Sequence, residues 1–576
     1  MTKKIIALLC LFLVAVLFHL PRGDDYDFWW HIKYGEIFVH SGPWAVDHSV
    51  FSWTPANNDW KYVTWIGSSL LYLIYQLHCF PLFYLLNLAL LFVPFFLYIK
   101  YLNSFGEKLE VSNILSLVLV TLVVTPMYFK PDSFSFLFFA VAVYIYFIAK
   151  EKNSALFYFY PLLFLIWVNT HGVFIFGYAL IIVLFMGEFA AYLIAREEVM
   201  SSTMLLSFLY SIILSGLALC INPFGIHYLV YLADSLSSSS YTKYFDRMVA
   251  YSRLWDFLYT QAIVVRVITT AWYLVLMFIV FLIVYVRTMR VRKKIFAPII
   301  LVNCVFFYLS MLHARSAFLY PLVWLFSNAY LLRGGLEKIT PKRLSIVFLI
   351  LIIIFSAFHI KTNLTINSRN TWFAVSYEDW FPETEAAFLK TNKIPGPLFN
   401  DYLSGGYLIW RLYPEYKVFV DTRYGPYSDS VTSDWGLLKD DPSEGNFKTF
   451  IDKYGFKSAF VNVLEGEILK CFLYSPDWRL IYFGSNAAIF IRTDISKDLT
   501  LNIPQLSAER FSQLNNPVAL GSIFGIYMSR SDVHNMSIIR DIYQKNIPSY
   551  YIFYDIHLAR MNNILRYYSD LQEGRH

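Results

Sequence analysis

The sequence predicts a mostly α fold: a polytopic membrane bundle, then a smaller α/β domain with a helical tail. Three observations carry this. Apolar residues make up 57% of the 576 and charged residues only 15%, a balance foreign to soluble globular chains. Apolar runs approaching the ~20 residues needed to cross hydrocarbon recur as far as Ile360. At Lys361 the composition changes, and short helical and strand patterns alternate from there.

The first run, Ile5–Leu20, follows Lys3 and Lys4. A signal peptide competes with a retained helix, but an acidic-aromatic stretch follows where a small-residue cleavage site would stand. It is read as a retained helix. A long loop, 21–65, comes next. Ile66–Leu77 is apolar but short and reads as a surface-lying helix. Further spans are expected at Leu82–Ile99, Val111–Met127, Ser133–Ala149, Leu156–Val168, Val173–Ala195, Met204–Ile221, Val264–Val286, Phe296–Met311, Ala317–Leu332 and Leu344–Ile360, about eleven in all. Basic loops set the orientation. Lys3 and Lys4, Lys150 and Lys152, Arg287 to Lys294, and Arg333 to Arg343 fall on the cytoplasmic side. Asp25, Asp27, His31, Lys130, His171, Arg247, Arg253, Arg315 and everything beyond Lys361 then share the outer face.

Beyond Lys361, Ser376–Thr391 and Glu444–Tyr454 read as helices, and Lys417–Asp421 and Lys457–Val463 as strands. Arg479–Phe483 and Ala487–Arg492 flank Gly484-Ser485-Asn486, a hairpin signal. The expected organisation is a membrane domain 1–360 including loop 21–65, an extracytoplasmic α/β domain 361–493 and a helical region 494–576. Five cysteines are too few for a disulfide framework. The net charge of +6 lies mostly in loops, so it bears on topology and gives no sign of nucleic-acid binding.

The chemistry concentrates in Pro21–Gly35, PRGDDYDFWWHIKYG. Carboxylates this close to a membrane span are costly without a water-filled cavity or cationic partners, and the paired indoles suit the hydrocarbon–headgroup boundary. No Lys-Ser/Thr follows Gly405-Gly406, which rules out a nucleotide-phosphate loop there. No zinc pattern occurs. Acidic residues leave a divalent metal open, but no ligand spacing selects one. A sugar transferase using a lipid-phosphate donor needs a carboxylate base, cations for the departing phosphate and a groove open to lipid. Asp25 or Asp27, with Lys130, Arg247, Arg253 and Arg315 between apolar helices, match that need.

GDDYDFWWHIKYGEIFVHSG resembles the first outer loop of bacterial membrane glycosyltransferases of the C class (GT-C), in the group with an Asp-Pro-Asp-Leu-Trp-Trp-His-Leu type sequence there. DHSVFSWTPANNDWKYVTW, FKPDSFSF, WVNTHGVFIFG, INPFGIHYL, HARSAFLYPL, NDYLSGGYLIWRL and VFVDTRYGPY are similar to later stretches of that group, in order. The resemblance implies a many-helix fold in the bacterial cytoplasmic membrane. It also implies a polyprenyl-phosphate or similar lipid-linked sugar donor, a glycan, lipid or protein acceptor, and inverting transfer on the outer side. The family's loop-one Asp falls on Asp25, the expected base, with Asp27 as partner. Two departures stand out. Val63-Thr64 precede Trp65 where relatives often carry His-Glu or Asn-Gln, and Lys130-Pro131 replaces a commoner Arg-Pro, losing a bidentate phosphate contact.

Each assignment has a plainer competitor. His31 contacts substrate or steadies its loop. Lys130 and Arg315 meet phosphate or snorkel. His171 binds substrate or packs a helix end. Asn222–Gly225 is a turn. Asp421 and Arg423 touch the acceptor or form an ion pair. Two other functions compete as well: a non-catalytic scaffold holding lipid-linked glycan, which Val63-Thr64 favour, and a lipid or glycan transporter.

Overall fold

The structure is a computed structural model. It describes residues 26–44, 51–57, 60–79, 81–107, 109–123, 129–194, 200–237, 254, 265–313, 316–333, 381–423, 425–496, 507–549 and 553–572. The expected spans Ile5–Leu20 and Leu344–Ile360 lie outside these residues, as do Asp25, Arg247, Arg253 and Arg315.

The chain divides into two compact units. Met1–Pro21, Phe38–Trp44 and Lys61–Ile360 form one. Arg22–Ile37, Ala45–Trp60 and Lys361–His576 form the other. Most of the first loop therefore groups with the C-terminal residues, although its position in the sequence had placed it with the membrane helices.

The first unit is helical. Among the described residues, Pro81–Ser104, Asp132–Glu151, Phe174–Ile194, Ser202–Leu219 and Thr270–Arg292 are long and apolar enough to cross a membrane. Shorter apolar helices cover Ser154–Val168, Ala297–Leu312 and Leu319–Leu332. At 1.5 Å per residue a 14-residue helix such as Leu319–Leu332 is shorter than the hydrocarbon core, about 30 Å thick. Small residues let these helices close on one another. A Cβ at Gly187 would stand 2.9 Å from the Pro298 side chain, and one at Gly177 would overlap the Trp167 ring, the close approach that drives helix association without water. Trp65–Gln76 is the expected short helix. Ile226–Ser237 forms an additional helix after the Asn222–Gly225 turn, where Gly225 takes φ +57°.

The second unit is built on a four-stranded sheet of β1 (Leu398–Asn400), β2 (Ser458–Asn462), β3 (Trp478–Phe483) and β4 (Ala487–Arg492), in the order β1-β2-β4-β3. β1 and β2 are parallel, and the other pairs are antiparallel. The crossover from β1 to β2 carries helices Gly405–Leu412, Asp429–Asp440 and Glu444–Tyr454. Gly455 ends the last of these at φ +61°, a left-handed conformation that glycine adopts freely. Every residue of β2 is buried, as a central strand covered on both faces requires. The expected helix Ser376–Thr391 is seen as Glu383–Thr391, residues 376–380 lying outside the described chain. The tail helices Pro517–Ser529, Val533–Asn546 and Tyr554–Gln572 share the sheet's apolar core. Phe483 packs against Phe511 and Tyr527, with ring centroids 5.9 and 5.4 Å away.

Lys417–Asp421 is not a strand of this sheet. It is extended, and Val418 forms an isolated parallel bridge with Ser52. The Val418 N–H donates to the Phe51 carbonyl at 2.9 Å and the Trp53 N–H to the Val418 carbonyl at 3.3 Å. The Asn400 side chain takes the place of a neighbouring strand on the other side, accepting the Phe419 N–H at 2.7 Å and donating to the Val420 carbonyl at 2.7 Å.

Candidate functional site

The acidic-aromatic stretch continues into a helix, Asp27–Ser41, with Asp27 in its first turn, where a carboxylate offsets the positive helix end. Asp27, Trp30, His31 and Tyr34 recur at helical spacing on one side. Asp27 is half-buried. Its Oδ1 accepts the Trp30 indole N–H at 3.2 Å, and that N–H also reaches the Thr422 hydroxyl at 3.1 Å. The His31 ring is buried and lies against the Trp30 ring, centroids 3.6 Å apart. One turn on, the Tyr34 hydroxyl accepts from Arg423 Nη1 at 2.7 Å.

Asp421 and Arg423 are buried and form the expected ion pair. Arg423 Nε donates to Asp421 Oδ1 at 2.8 Å and Nη2 to Oδ2 at 2.5 Å. The Tyr427 hydroxyl also donates to Asp421, and the Arg423 backbone N–H closes on Oδ1 at 2.8 Å. Burial opposes the guanidinium charge, but Asp421, with Tyr34 and Tyr427, holds Arg423 well above its ordinary pKa. A buried charge pair is tolerable when its remaining donors and acceptors are met in this way. The segment Asp421-Thr422-Arg423 thus joins Tyr34 directly, and Asp27 through the shared indole.

Gly405-Gly406 acquires a physical reason here. A Cβ at Gly405 would stand 2.5 Å from Asp421 Cβ, and one at Gly406 would stand 2.5 Å from the Tyr26 carbonyl oxygen and 3.1 Å from the Trp30 ring. Only two glycines let the helix Gly405–Leu412 approach both segments. Asp401 holds the start of that helix, with Oδ1 accepting the Ser404 N–H and Oδ2 accepting the Ser404 hydroxyl and Asn462 N–H, each at 2.8–2.9 Å. Burial, aided by Glu465, pushes the Asp401 carboxyl up to about 6 against the pull of those donors. Sequence reading places Trp30 at the hydrocarbon–headgroup boundary, whereas it is buried and hydrogen-bonds Asp27 and Thr422; it passes over Tyr34, Asp401, Thr422 and Tyr427 as working residues. The acidic and glycine-rich string NDYLSGG was the available signal for Asp401.

In the helical unit, two sequence stretches meet over Gly67. Its Cβ would stand 2.8 Å from Pro131 Cβ and 3.0 Å from the Thr170 carbonyl. Lys130-Pro131 and Asn169-Thr170-His171 are therefore neighbours. Lys130 is half-buried, 3.9 Å from Asp132. His171 Nδ1 lies 2.9 Å from the Ser135 hydroxyl, which also accepts the Trp167 indole N–H at 3.0 Å. Asn169 links three segments: its Oδ1 accepts the Trp65 indole N–H at 2.8 Å, and its Nδ2 donates to the Leu165 and Ile221 carbonyls. No group of three His, Cys, Asp or Glu able to hold a metal occurs among the described residues.

No protein-family model matches this chain, and no curated protein matches it. Among solved structures, the chain is similar to the apo form of the Archaeoglobus fulgidus oligosaccharyltransferase. The TM-score is 0.46 at 12% identity, over 86% of this chain and 75% of that one.

Proposed function

We propose that the chain is a membrane glycosyltransferase of the GT-C class that moves a sugar from a lipid-phosphate donor to an acceptor hydroxyl at the outer membrane face. The observation that supports this most is the folding of the acidic loop. Asp27 sits half-buried at a helix start and shares the Trp30 indole N–H with Thr422, and Gly406 packs against that indole and the Tyr26 carbonyl with room for nothing larger. That precision is what a catalytic carboxylate needs and a solvated loop does not.

Asp25, two residues before this helix, takes the proton from the acceptor hydroxyl. The acceptor oxygen attacks the sugar's anomeric carbon on the face opposite the phosphate, and the bond from that carbon to the phosphate oxygen breaks. The configuration inverts, and the lipid phosphate leaves with the electron pair. Asp27 keeps the loop and its charge in place. Lys130, Arg247, Arg253 and Arg315 serve the donor phosphate, and His31 and His171 orient substrate. Asp421 and Arg423 act through Tyr34 and the Thr422–Trp30 contact.

The test is donor consumption in liposomes charged with a panel of polyprenyl-phosphate sugars and mixed glycan, lipid and peptide acceptors. Loss of one sugar from its carrier, with inverted configuration in the product, is expected. Saturable donor binding without turnover would establish the scaffold reading instead, and donor crossing a sealed vesicle unchanged would establish transport.

A further inference from the structure

A cavity of about 640 Å³ opens in the α/β unit, lined by Trp53, Lys390, Lys393, Glu415, Tyr416 and Lys417 with the start of β1. That volume suits a small molecule or a short stretch of polymer. Its aromatic walls are held in place. The Trp53 indole N–H donates to the Leu398 carbonyl at 3.2 Å, and the Tyr416 hydroxyl reaches the Leu389 and Ile394 carbonyls at 3.0 and 2.9 Å. Lys390 is neutralised by Glu415 at 2.8 Å. Lys393 and Lys417 have no carboxylate partner among the described residues, so the lining carries an uncompensated positive charge.

Lys393 stands in an unusual place. The helix Glu383–Thr391 ends with the Ile394 N–H on the Leu389 carbonyl at 3.3 Å and the Lys393 N–H on the Lys390 carbonyl at 3.3 Å. This is the closing turn in which glycine is favoured. Lys393 takes φ +47° there, at a cost glycine would not incur. The turn thereby sets a lysine, rather than glycine, at the cavity's edge.

We propose that this cavity binds an acidic saccharide, with a sugar ring against Trp53 and Tyr416 and its anionic group between Lys393 and Lys417. A saccharide as the occupant rests on the glycosyltransferase reading; the preference for an anion rests on the lysines alone.

The test uses the full chain in lipid nanodiscs and isothermal titration with trigalacturonate, neutral maltotriose and inorganic triphosphate. Trigalacturonate is expected to bind saturably and maltotriose about tenfold more weakly, consistent with charge-assisted contacts. Lys393→Gly is expected to weaken trigalacturonate about fivefold while the unfolding temperature holds or rises, because glycine relieves the positive φ. Lys417→Gln is expected to weaken it similarly. Equal binding of the acidic and neutral sugars, no binding of trigalacturonate, or wild-type affinity in Lys393→Gly would overturn the proposal. Triphosphate binding as tightly as trigalacturonate would overturn its saccharide half. Donor consumption is read separately: absent turnover with intact trigalacturonate binding sinks the transferase reading and leaves this site standing.

Discussion

Consider alanine at Gly406. The added methyl would stand 2.5 Å from the Tyr26 carbonyl oxygen, in the peptide that leads into Asp27. Carbon and oxygen sit comfortably at about 3.3 Å or more, so the helix Gly405–Leu412 or the start of the acidic helix must retreat by roughly 0.8 Å. Overpacking of this kind costs about 1–3 kcal/mol, offset in part by about 1 kcal/mol of alanine's helix preference. The net loss of stability is therefore small. The effect on rate is not, because a misplacement near 1 Å costs about 10²-fold in a positioned site. The assay is sugar transfer in liposomes beside thermal unfolding of the full chain. Gly521→Ala is the control: nothing lies within 4 Å of its Cβ position, and it too stands in a helix. Gly406→Ala should lose about 10²-fold in transfer with a shift of only a few degrees in Tm, and Gly521→Ala should lose nothing. Wild-type transfer by Gly406→Ala would refute the claim that this contact positions the acidic loop.

Three further outcomes follow from buried charges. Arg423→Gln strands Asp421 in the core and should destabilise the α/β unit by about 3–5 kcal/mol, read by denaturant unfolding. Asp401, held at about 6 against an ordinary 3.8, binds its proton more tightly folded than unfolded. Its contribution is present below pH 3.8 and lost as pH rises through 6, so wild-type stability relative to Asp401→Asn should fall by about 2–3 kcal/mol between pH 4 and 7.5; an invariant difference would count against this titration. In the helical unit, Lys150 lies 2.5 Å from Glu188 Oε1, with both side chains buried, and Glu188 Oε2 has no partner in the described structure. Lys150→Met leaves that carboxylate uncompensated and should cost about 3 kcal/mol or more, whereas Lys150→Met with Glu188→Leu should recover most of it.

How much of this was legible beforehand depended on the distance over which partners act. Helices at Phe174–Ile194 and Ser202–Leu219 were readable because apolar length is a local property. The helix Glu444–Tyr454 and the hairpin of β3 and β4 were readable because their periodicity and turn residues are local too. Lys417–Asp421 misled because a short apolar run between charges reads as a buried strand, while its partners are Ser52, far back in the chain, and the Asn400 side chain. The glycine pair was visible, but its purpose was not, since Tyr26 and Asp421 become its neighbours only on folding. Asp25 and Asp27 stood out by the cost of their charge. Thr422, Tyr34 and Tyr427 did not, because hydroxyls in a polar region carry no comparable penalty.

The most direct measurement is single-turnover transfer by Asp25→Asn beside wild type, using whichever lipid-phosphate sugar the wild type consumes. The account predicts unchanged membrane insertion, Tm and donor affinity, with transfer lowered by about 10²–10⁴-fold, the usual contribution of a general base. Transfer at the wild-type rate would contradict it and remove Asp25 from the chemistry.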